Sequence, residues 1–531
     1  MMKILRNAKI YTLDPARSQV SALLIDGAHI LVAGSEADCL AYGDRAELED
    51  LSGKTIIPGL TDAHLHLQLY ALGLLKVNCE TPEQPECLQR VAGRAQQSPP
   101  GEWILGHGWN QNLWPQGFGN ATQLDQVAPN NPVYLTAKSL HAGWANHAAL
   151  KAAGITALTP DPPDGQIQRD ARGEPTGILF EGAISLVAEA VPAAKIEEVA
   201  AAIQVAQARL WRYGLTSVHD YDRRDCFAAL QLLHTRGELG LRVLKNLPIE
   251  MLDHAVALGL RSGFGDDWLR IGGLKAFADG ALGPHTAAML QPYENEPGNR
   301  GMLLIDAEEL FEAGRQATQN GLSLTIHAIG DRANHEVLNA FEQLRRYERD
   351  HRVSGPRLRH RIEHVQVLHP QDVDRLARLD VIASMQPIHA TSDMLMADAY
   401  WGDRARLSYA WRSQLAAGAR LAFGSDAPVE SPNPFWGLHA AVTRRRMDGS
   451  PDPQGWYPEE RLTRREALLA YTQGPAYAAG MEARLGQLSA GYLADLLVLE
   501  EDPFECPAEE IHQIVPLKTM VGGNWVYSAE C

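Results

Sequence analysis

The chain has 531 residues, and its 48 basic and 65 acidic residues give a formal net charge of −17 at pH 7. This acidic balance argues against nucleic acid or an anionic membrane as the main partner. No stretch approaches the roughly 20 apolar residues of a membrane span, and the start of the chain lacks the apolar core of a signal peptide. We therefore expect a large protein of the cytoplasm.

Both ends of the chain consist of short strand-like runs separated by turn residues such as Asp26-Gly27 and Gly522-Gly523. These runs cover residues 3–10, 22–25, 29–32, 494–499, 518–521 and 524–527. Runs of this length cannot each bury a core alone. We predict that residues 1–57 and 482–531 together form a small β-sandwich.

An apolar run at residues 57–66 ends in His64-Leu65-His66. Side chains at i and i+2 leave the same face of a strand, so both imidazoles can face one metal ion. Because the chain has 19 histidines, one such pair could arise by chance. Whether it marks a metal site depends on what the rest of the chain supplies.

Seven further apolar runs follow, separated by helix-length segments. They cover residues 215–220, 241–244, 269–275, 322–327, 361–364, 381–386 and 421–426. Helical stretches such as 308–320 and 370–379 lie between them, which favours βα units and a parallel sheet. Eight strands predict an α/β fold with a closed TIM-type (β/α)8 barrel over residues 58–481.

The segment from about residue 68 to residue 209 is longer than an ordinary βα connection. It contains Trp- and Gly-rich pieces at residues 106–110 and 141–146. We predict an inserted subdomain after the first barrel strand that covers the barrel mouth. Trp109 and His141 are candidate substrate contacts within it.

In such a barrel the catalytic groups lie at the carboxyl ends of the strands. Four histidines, one lysine and one aspartate fall there: His64, His66, Lys275, His327, His364 and Asp426. Imidazole and carboxylate suit zinc and similar divalent ions, and catalytic sites leave one position open for water. We predict a site for one or two divalent ions, with zinc as the expected metal.

Lys275 needs a separate argument, since an ammonium group has no lone pair to offer a metal. Burial beside a dication favours the neutral amine. A neutral amine can add carbon dioxide, and the resulting carbamate could bridge two metals. Alternatively, an unmodified Lys275 could pair with Asp279 or another acid.

These residues resemble the amidohydrolase superfamily of metal-dependent hydrolases. Its pattern has a strand-one His-x-His, a strand-four bridging lysine, histidines on strands five and six, and a strand-eight aspartate, here His64, His66, Lys275, His327, His364 and Asp426. Further stretches resemble the amidohydrolase family 3 group, which includes YtcJ-like proteins and N-substituted formamide deformylases. They are residues 275–283, 297–301, 362–366, 384–387, 423–429 and 486–499.

The resemblance implies hydrolysis of a carbon–nitrogen, amide-type bond of a small molecule by a metal-activated water, with Asp426 taking the proton. Ester or lactone hydrolysis, deamination with a single metal, and a non-catalytic binding or regulatory role are the alternatives. Relatives commonly carry arginine where this chain has His285, so the substrate cannot be carried over from them. Asp279, His285 and His389 complete the candidate substrate contacts, and family members often form homodimers.

For two further patterns we expect no part in the site. Glu363 alternates away from His364 along its strand and is expected to be structural. The run Arg444-Arg445-Arg446 is expected to be a solvated helix face or a set of local ion pairs.

Overall fold

A computed structural model describes residues 2–43, 45–115, 117–139, 141–163, 165–351 and 357–529. Within these residues the strands, in chain order, are β1 (Met2–Arg6), β2 (Lys9–Tyr11), β3 (Gln19–Val20), β4 (Ala22–Asp26), β5 (His29–Gly34), β6 (Glu47–Asp50), β7 (Thr55–Pro58), β8 (Leu60–Leu65), β9 (Val77–Asn78), β10 (Ile104–Trp109), β11 (Val133–Ala137), β12 (Ala142–Ala145), β13 (Gly165–Arg169), β14 (Pro175–Glu181), β15 (Leu215–Asp220), β16 (Arg242–Pro248), β17 (Leu269–Phe277), β18 (Leu324–Ala328), β19 (Arg361–His364), β20 (Ile382–Met385), β21 (Leu421–Phe423), β22 (Leu496–Leu499), β23 (Pro516–Val521) and β24 (Asn524–Ser528).

The α-helices of the same residues are α1 (Glu36–Tyr42), α2 (Leu67–Leu74), α3 (Gln84–Ala95), α4 (Ala121–Val127), α5 (His147–Ala152), α6 (Ala183–Ala188), α7 (Ile196–Arg212), α8 (Arg224–Thr235), α9 (Leu252–Ala257), α10 (Ala307–Gln319), α11 (Asp331–Asp350), α12 (Arg375–Leu379), α13 (Pro387–Trp401), α14 (Trp411–Ala417), α15 (Pro434–Thr443), α16 (Arg464–Ala470) and α17 (Gln473–Ala478). Local sequence explains where several begin. At α10 the side chain of Asp306 accepts the first free N–H groups, and Glu309 reaches back to the backbone of Asp306. None of the described helices is long and apolar enough to cross a membrane.

Strands β8 and β15 to β21 form one eight-stranded sheet in which all neighbours are parallel. A parallel bridge between Leu65 and Ala427 links the first strand to the segment after the last. Each connection between successive strands carries at least one helix. The predicted (β/α)8 barrel is therefore confirmed.

The first apolar run is divided where the sequence predicted one strand. β7 pairs with β22, whereas β8 begins the barrel. Gly59 separates them, and a Cβ there would lie 2.4 Å from the Thr216 side chain. The residue at which the chain changes sheets is therefore one where only glycine fits beside Thr216.

The two ends of the chain form a sandwich of two sheets, with strand orders β5-β4-β1-β6 and β24-β23-β22-β7-β2-β3. Apolar residues of both sheets share one core cluster, which includes Leu5 and Ile25 from one sheet and Ile56 and Leu496 from the other. The turn at Gly522-Gly523 joins β23 to β24, and both glycines have positive φ. The predicted composite sandwich is thus part of the fold.

Residues Ala71–Ala202 form a separate compact unit. Its sheet has the order β13-β14-β12-β11-β10-β9. Trp109, Trp114 and Trp144 pack against one another in its core, with ring centroids 6.0 to 6.2 Å apart. An insertion after the first barrel strand was expected, and this unit occupies that place in the chain.

The expectation of a solvated arginine run is wrong for Arg444, which is 1% exposed. Its backbone ends α15 in the left-handed region, with φ of 52°, and this turns the side chain inward. The guanidinium donates to the carbonyls of Tyr409 and Trp456 and lies 4.6 Å from the ring of Trp411. Stacking and carbonyl acceptors replace the solvent that the sequence pattern suggested.

Candidate metal centre

The six predicted ligands lie at the carboxyl ends of five barrel strands. His64, Lys275, His327 and His364 belong to β8, β17, β18 and β19. His66 follows β8 directly, and Asp426 follows β21 after Gly424 and Ser425. The barrel therefore brings residues from distant parts of the chain to one edge.

The carboxylate of Asp426 stands among three imidazoles. Its Oδ1 lies 3.5 Å from Nε2 of His64 and 3.5 Å from Nε2 of His66, and its Oδ2 lies 3.6 Å from Nε2 of His389. The Asp426 N–H donates to the carbonyl of His64 at 2.7 Å. Backbone and side chain together thus fix this aspartate against the His-x-His pair.

The rings of His364 and His327 continue the group of imidazoles beyond His64. The ring centroids of His64 and His364 are 5.0 Å apart, and those of His364 and His327 are 4.5 Å apart. Potential ligand atoms of His64, His364 and Asp426 all lie within 4.8 Å of one another. His327 Nε2 is 2.9 Å from the carbonyl of Gly280, which leaves Nδ1 as the free ring nitrogen.

Lys275 is 6% exposed, and its Nζ has no hydrogen-bond partner among the described residues. The Nζ lies 4.9 Å from the ring centroid of Tyr221 and 4.7 Å from that of Phe277. Burial lowers the pKa of Lys275 to about 8. An amine that is easily made neutral and has a free lone pair fits carboxylation or metal binding.

The alternative pairing of Lys275 with Asp279 does not occur in this structure. Asp279 accepts the backbone N–H groups of Ala288, Ile329 and Gly330 at 2.8 to 3.0 Å. Its carboxylate joins two loops at the barrel edge and is 1% exposed. This arrangement favours a structural role for Asp279 over the predicted substrate contact.

A buried carboxylate stands behind each histidine of the His-x-His pair. Glu363 Oε2 lies 2.6 Å from His64 Nδ1, and Asp222 Oδ1 lies 3.2 Å from His66 Nδ1. Each carboxylate accepts a hydrogen bond from Nδ1–H, so that Nε2 is the ring nitrogen directed at the centre, an arrangement common in metal-binding histidines. Glu363, for which the sequence suggested a structural role, contacts the ring of the proposed ligand His64 and fixes its orientation.

Glu363 has its own set of partners inside the barrel. Tyr221 and Thr325 donate their hydroxyls to Oε1 at 2.8 and 2.7 Å, and the Arg361 guanidinium contacts both oxygens. Burial alone would raise the pKa of Glu363, but Arg361 and His64 hold it well below its usual range. Glu363 thus stays ionised without solvent.

His64 and His66 have different pKa values because their surroundings differ in charge and burial. Burial lowers the pKa of His64 to about 4. Burial would also lower the pKa of His66, but the carboxylates of Asp222 and Asp426 outweigh it and raise that pKa to about 9. Burial opposes ionisation of Asp426, yet the nearby imidazoles of His66, His64 and His364 hold its pKa below the usual range. The centre therefore holds one ionised carboxylate among imidazoles, of which His64 is neutral and His66 keeps its proton near neutral pH.

The backbone is strained at the same edge. His364, Val365 and Asp426 have φ of 77°, 44° and 61°, in the left-handed region that L-residues rarely adopt. A β-branched residue such as Val365 is especially disfavoured there. Strain of this kind costs about 1–3 kcal/mol per residue and concentrates at functional sites.

The remaining predicted substrate contacts differ in their placement. Trp109 is fully buried in its own unit and donates from Nε1 to Leu135, so its placement favours packing. His141 is exposed and lies 2.9 Å from Glu181. The ring of His285 stacks on Tyr293, and its Nδ1 lies 2.7 Å from Glu296 Oε1. His389 lies directly beside the centre, with its Nε2 3.6 Å from Asp426 Oδ2.

Two buried side-chain nitrogens at the start of α13 have no hydrogen bond among the described residues: Nε2 of Gln386, and Nε2 of His389, which lies 3.6 Å from the Asp426 carboxylate. The N–H of His389 donates to the carbonyl of Gln386 at 3.1 Å, so both residues belong to one turn. An unsatisfied buried donor costs about 1–3 kcal/mol. A bound group would remove this penalty.

Sequence reasoning missed Asp62, Asp222 and Gln386. Asp62 Oδ1 accepts the N–H groups of His64 and Ser425, each at 3.0 Å, and so joins the first and last strands. Its position two residues before His64 puts it on the same strand face, which is a usable signal. Gln386 ends the seventh predicted strand and lies in a stretch that resembles the family, which is also a usable signal, whereas nothing in the local sequence singles out Asp222.

The donor set fits a divalent metal. Imidazole nitrogens, a carboxylate and an unpartnered amine converge from five strands, and charge and strain are concentrated at the same edge. Residues 47–527 match the amidohydrolase family. The chain belongs to this family. It is a hydrolase of the metal-dependent amidohydrolase superfamily, as the resemblance implied.

Two relatives cover almost the whole chain. Protein LONG AFTER FAR-RED 3 of Arabidopsis thaliana is 34% identical over 99% of this chain and 91% of its own length. The N-substituted formamide deformylase of Arthrobacter pascens is 31% identical over 97% of this chain and 96% of its own. Among solved structures, a metal-dependent hydrolase from Pyrococcus furiosus matches with a TM-score of 0.80 and 29% identity, covering 95% of this chain and all of that one.

Proposed function

We propose that this amidohydrolase cleaves a carbon–nitrogen, amide-type bond of a small molecule by means of a metal-activated water, with zinc as the metal. The proposed ligands are His64, His66, Lys275, His327, His364 and Asp426. The observation that carries the proposal is the Asp426 carboxylate, whose oxygens lie 3.5 to 3.6 Å from three imidazole Nε2 atoms. A carboxylate so placed can both contact a cation and exchange a proton beside it.

When bound, a divalent cation lowers the pKa of water towards about 7 and polarises a carbonyl group. Asp426 is the residue that accepts a proton from the attacking water, because its carboxyl group stays ionised in the buried site. It then returns that proton to the departing nitrogen. Proton return matters most for amides, since an amine leaves poorly as an anion.

Lys275 supports a two-ion form of this site. Its unpartnered Nζ is the atom that would carry a carboxylate, and the pKa of about 8 makes the neutral amine accessible near physiological pH. The resulting carbamate would offer two oxygens. An unmodified lysine would leave one buried nitrogen without a partner.

Gln386 and His389 are the proposed donors to the substrate's carbonyl oxygen. Both present an Nε2 atom that makes no hydrogen bond among the described residues at the first turn of α13, and that of His389 lies 3.6 Å from Asp426. The N-terminus of α13 also favours negative charge. Donors aimed at a developing oxyanion strengthen as charge builds up. A carbonyl compound is therefore the substrate class that these residues favour.

An N-substituted formamide is the first substrate to test, because a relative that matches nearly the whole chain is named for that reaction. The zinc-loaded protein would be given N-butylformamide and, as a matched ester, butyl formate, with formate release measured. Faster hydrolysis of the formamide would support amide specificity. Hydrolysis of the ester alone would replace the amide by an ester or lactone as the substrate class.

A further inference from the structure

A buried charge cluster lies behind His66 and outside the proposed ligand set. It consists of Asp220, Asp222 and Lys245, which are 0, 7 and 1% exposed. Lys245 Nζ donates to the carboxylate of Asp220 and to the backbone carbonyl of Asp222. The ammonium already occupies the place that a cation would take between these groups, so the cluster has another role than holding a second metal.

The two carboxylates bind the chain segment that follows His66. Asp220 Oδ1 accepts the N–H of Leu67 at 2.9 Å, and Asp222 Oδ2 accepts the N–H of Gln68 at 2.5 Å. These residues begin α2, where backbone N–H groups have no partner within the helix. The cluster therefore fixes the backbone immediately after His66.

The second oxygen of Asp222 reaches the ring of His66. Its Oδ1 lies 3.2 Å from Nδ1, while Nε2 on the opposite side of the ring lies 3.5 Å from Asp426. One carboxylate thus holds both the ring and the following backbone. This matters more for His66, whose side chain is 25% exposed, than for His64, which is 1% exposed and confined by packing.

We propose that Asp222 is the positioning residue of His66, and that Lys245 and Asp220 hold Asp222 in place, so that this cluster sets the affinity of the site for zinc. The inference rests on the proposed function, because it takes His66 as a metal ligand. Carboxylates that orient metal-binding histidines change metal affinity by about 10- to 100-fold when they are replaced.

The test is the zinc affinity of the full chain, measured by competition with a chromogenic chelator, for the wild type and Asp222→Asn. The expected result is a 10- to 100-fold weaker affinity in a variant that is still folded at the temperature of the measurement. Asp372→Asn is the matched control, because Asp372, like Asp222, is a buried carboxylate that contacts a histidine. Asp372 contacts an arginine in addition. Asp372 Oδ2 lies 3.0 Å from His335 Nδ1, and Asp372 Oδ1 lies 2.9 Å from a guanidinium nitrogen of Arg375. Neither His335 nor Arg375 is a proposed ligand.

A second variant tests the outer part of the cluster. Replacing Lys245 alone would leave the buried Asp220 charge uncompensated and could unfold the chain. The double variant Lys245→Met/Asp220→Asn removes one charge of each sign. It should also weaken zinc binding, and adding Asp222→Asn should weaken it by less than the product of the separate effects, because both changes act on the same ring.

Equal zinc affinity of folded Asp222→Asn and wild-type protein would overturn this inference and leave the proposed function intact. Fully multiplicative effects of the two sets of substitutions would overturn the part assigned to Lys245 and Asp220. A wild-type chain that takes up no zinc would overturn the inference and the proposed function together.

Discussion

The chain-end sandwich and the carboxyl edge of the barrel place their charged side chains differently. In the sandwich, Lys518 and Glu49 pair at 2.7 Å near the surface, with side chains 34 and 22% exposed, above a wholly apolar core cluster. At the barrel edge, Glu363 is 0% exposed, and Lys275 is 6% exposed with no hydrogen bond from its Nζ to any residue that the structure describes. The sandwich is built to bury apolar area. The barrel edge buries Glu363 among hydrogen-bonding partners and leaves the Lys275 amine with a cost of burial that a ligand would offset.

The largest expected effect comes from the barrel edge. Asp426→Asn should lower turnover by about 10²- to 10⁴-fold, because the proposed proton carrier is lost, while most of the metal stays bound. Steady-state hydrolysis of N-butylformamide, together with metal content, measures both quantities. Full activity in the variant would remove Asp426 from the proposed mechanism.

The opposite pattern is expected in the sandwich. Leu496→Ala should reduce the free energy of unfolding by about 2–5 kcal/mol, since Leu496 is fully buried in the shared core. Urea unfolding measures this loss. Zinc per folded chain should remain at the wild-type value, and a parallel loss of zinc would show that the sandwich also shapes the site.

Zinc affinity should rise with pH. In the metal-free protein the pKa of His66 is about 9, so below that pH its ring holds a proton that zinc must displace. Release of the His66 proton alone contributes about a tenfold gain in affinity per pH unit between pH 7 and pH 9, and loss of the Lys275 proton adds to this gain below its pKa of about 8. Chelator competition across this range tests it, and a flat profile would show that His66 binds zinc without losing a proton.

The smallest effect is expected at the sandwich surface. Lys518→Met should change the free energy of unfolding by less than about 1 kcal/mol, because partly exposed ion pairs contribute little. The same urea experiment provides the measurement. A loss as large as that of Leu496→Ala would mean that this ion pair is a main link between the two sheets.

Much of the fold could be predicted from the sequence, because apolar runs that end in histidine, lysine or aspartate mark barrel strands directly. The division of the first run at Gly59 could not, since it depends on the Thr216 side chain from a distant segment. Arg444 was misjudged for a similar reason. Its stacking on Trp411 arises only once the chain has folded.

The candidate site shows the same limit. The proposed ligands follow from their strand-end positions, which a linear pattern can reveal. The carboxylates behind them do not, because the contacts of Glu363 with His64 and of Asp222 with His66 join different strands. Residues that orient a ligand are visible only when the barrel is closed.

The most direct test of the account is metal content per chain, measured by plasma mass spectrometry on protein grown with added zinc and bicarbonate, for the wild type and Lys275→Ala. The account predicts two zinc ions in the wild type and one or none in the variant. A single ion unaffected by the substitution, or no metal in the wild type, would contradict it.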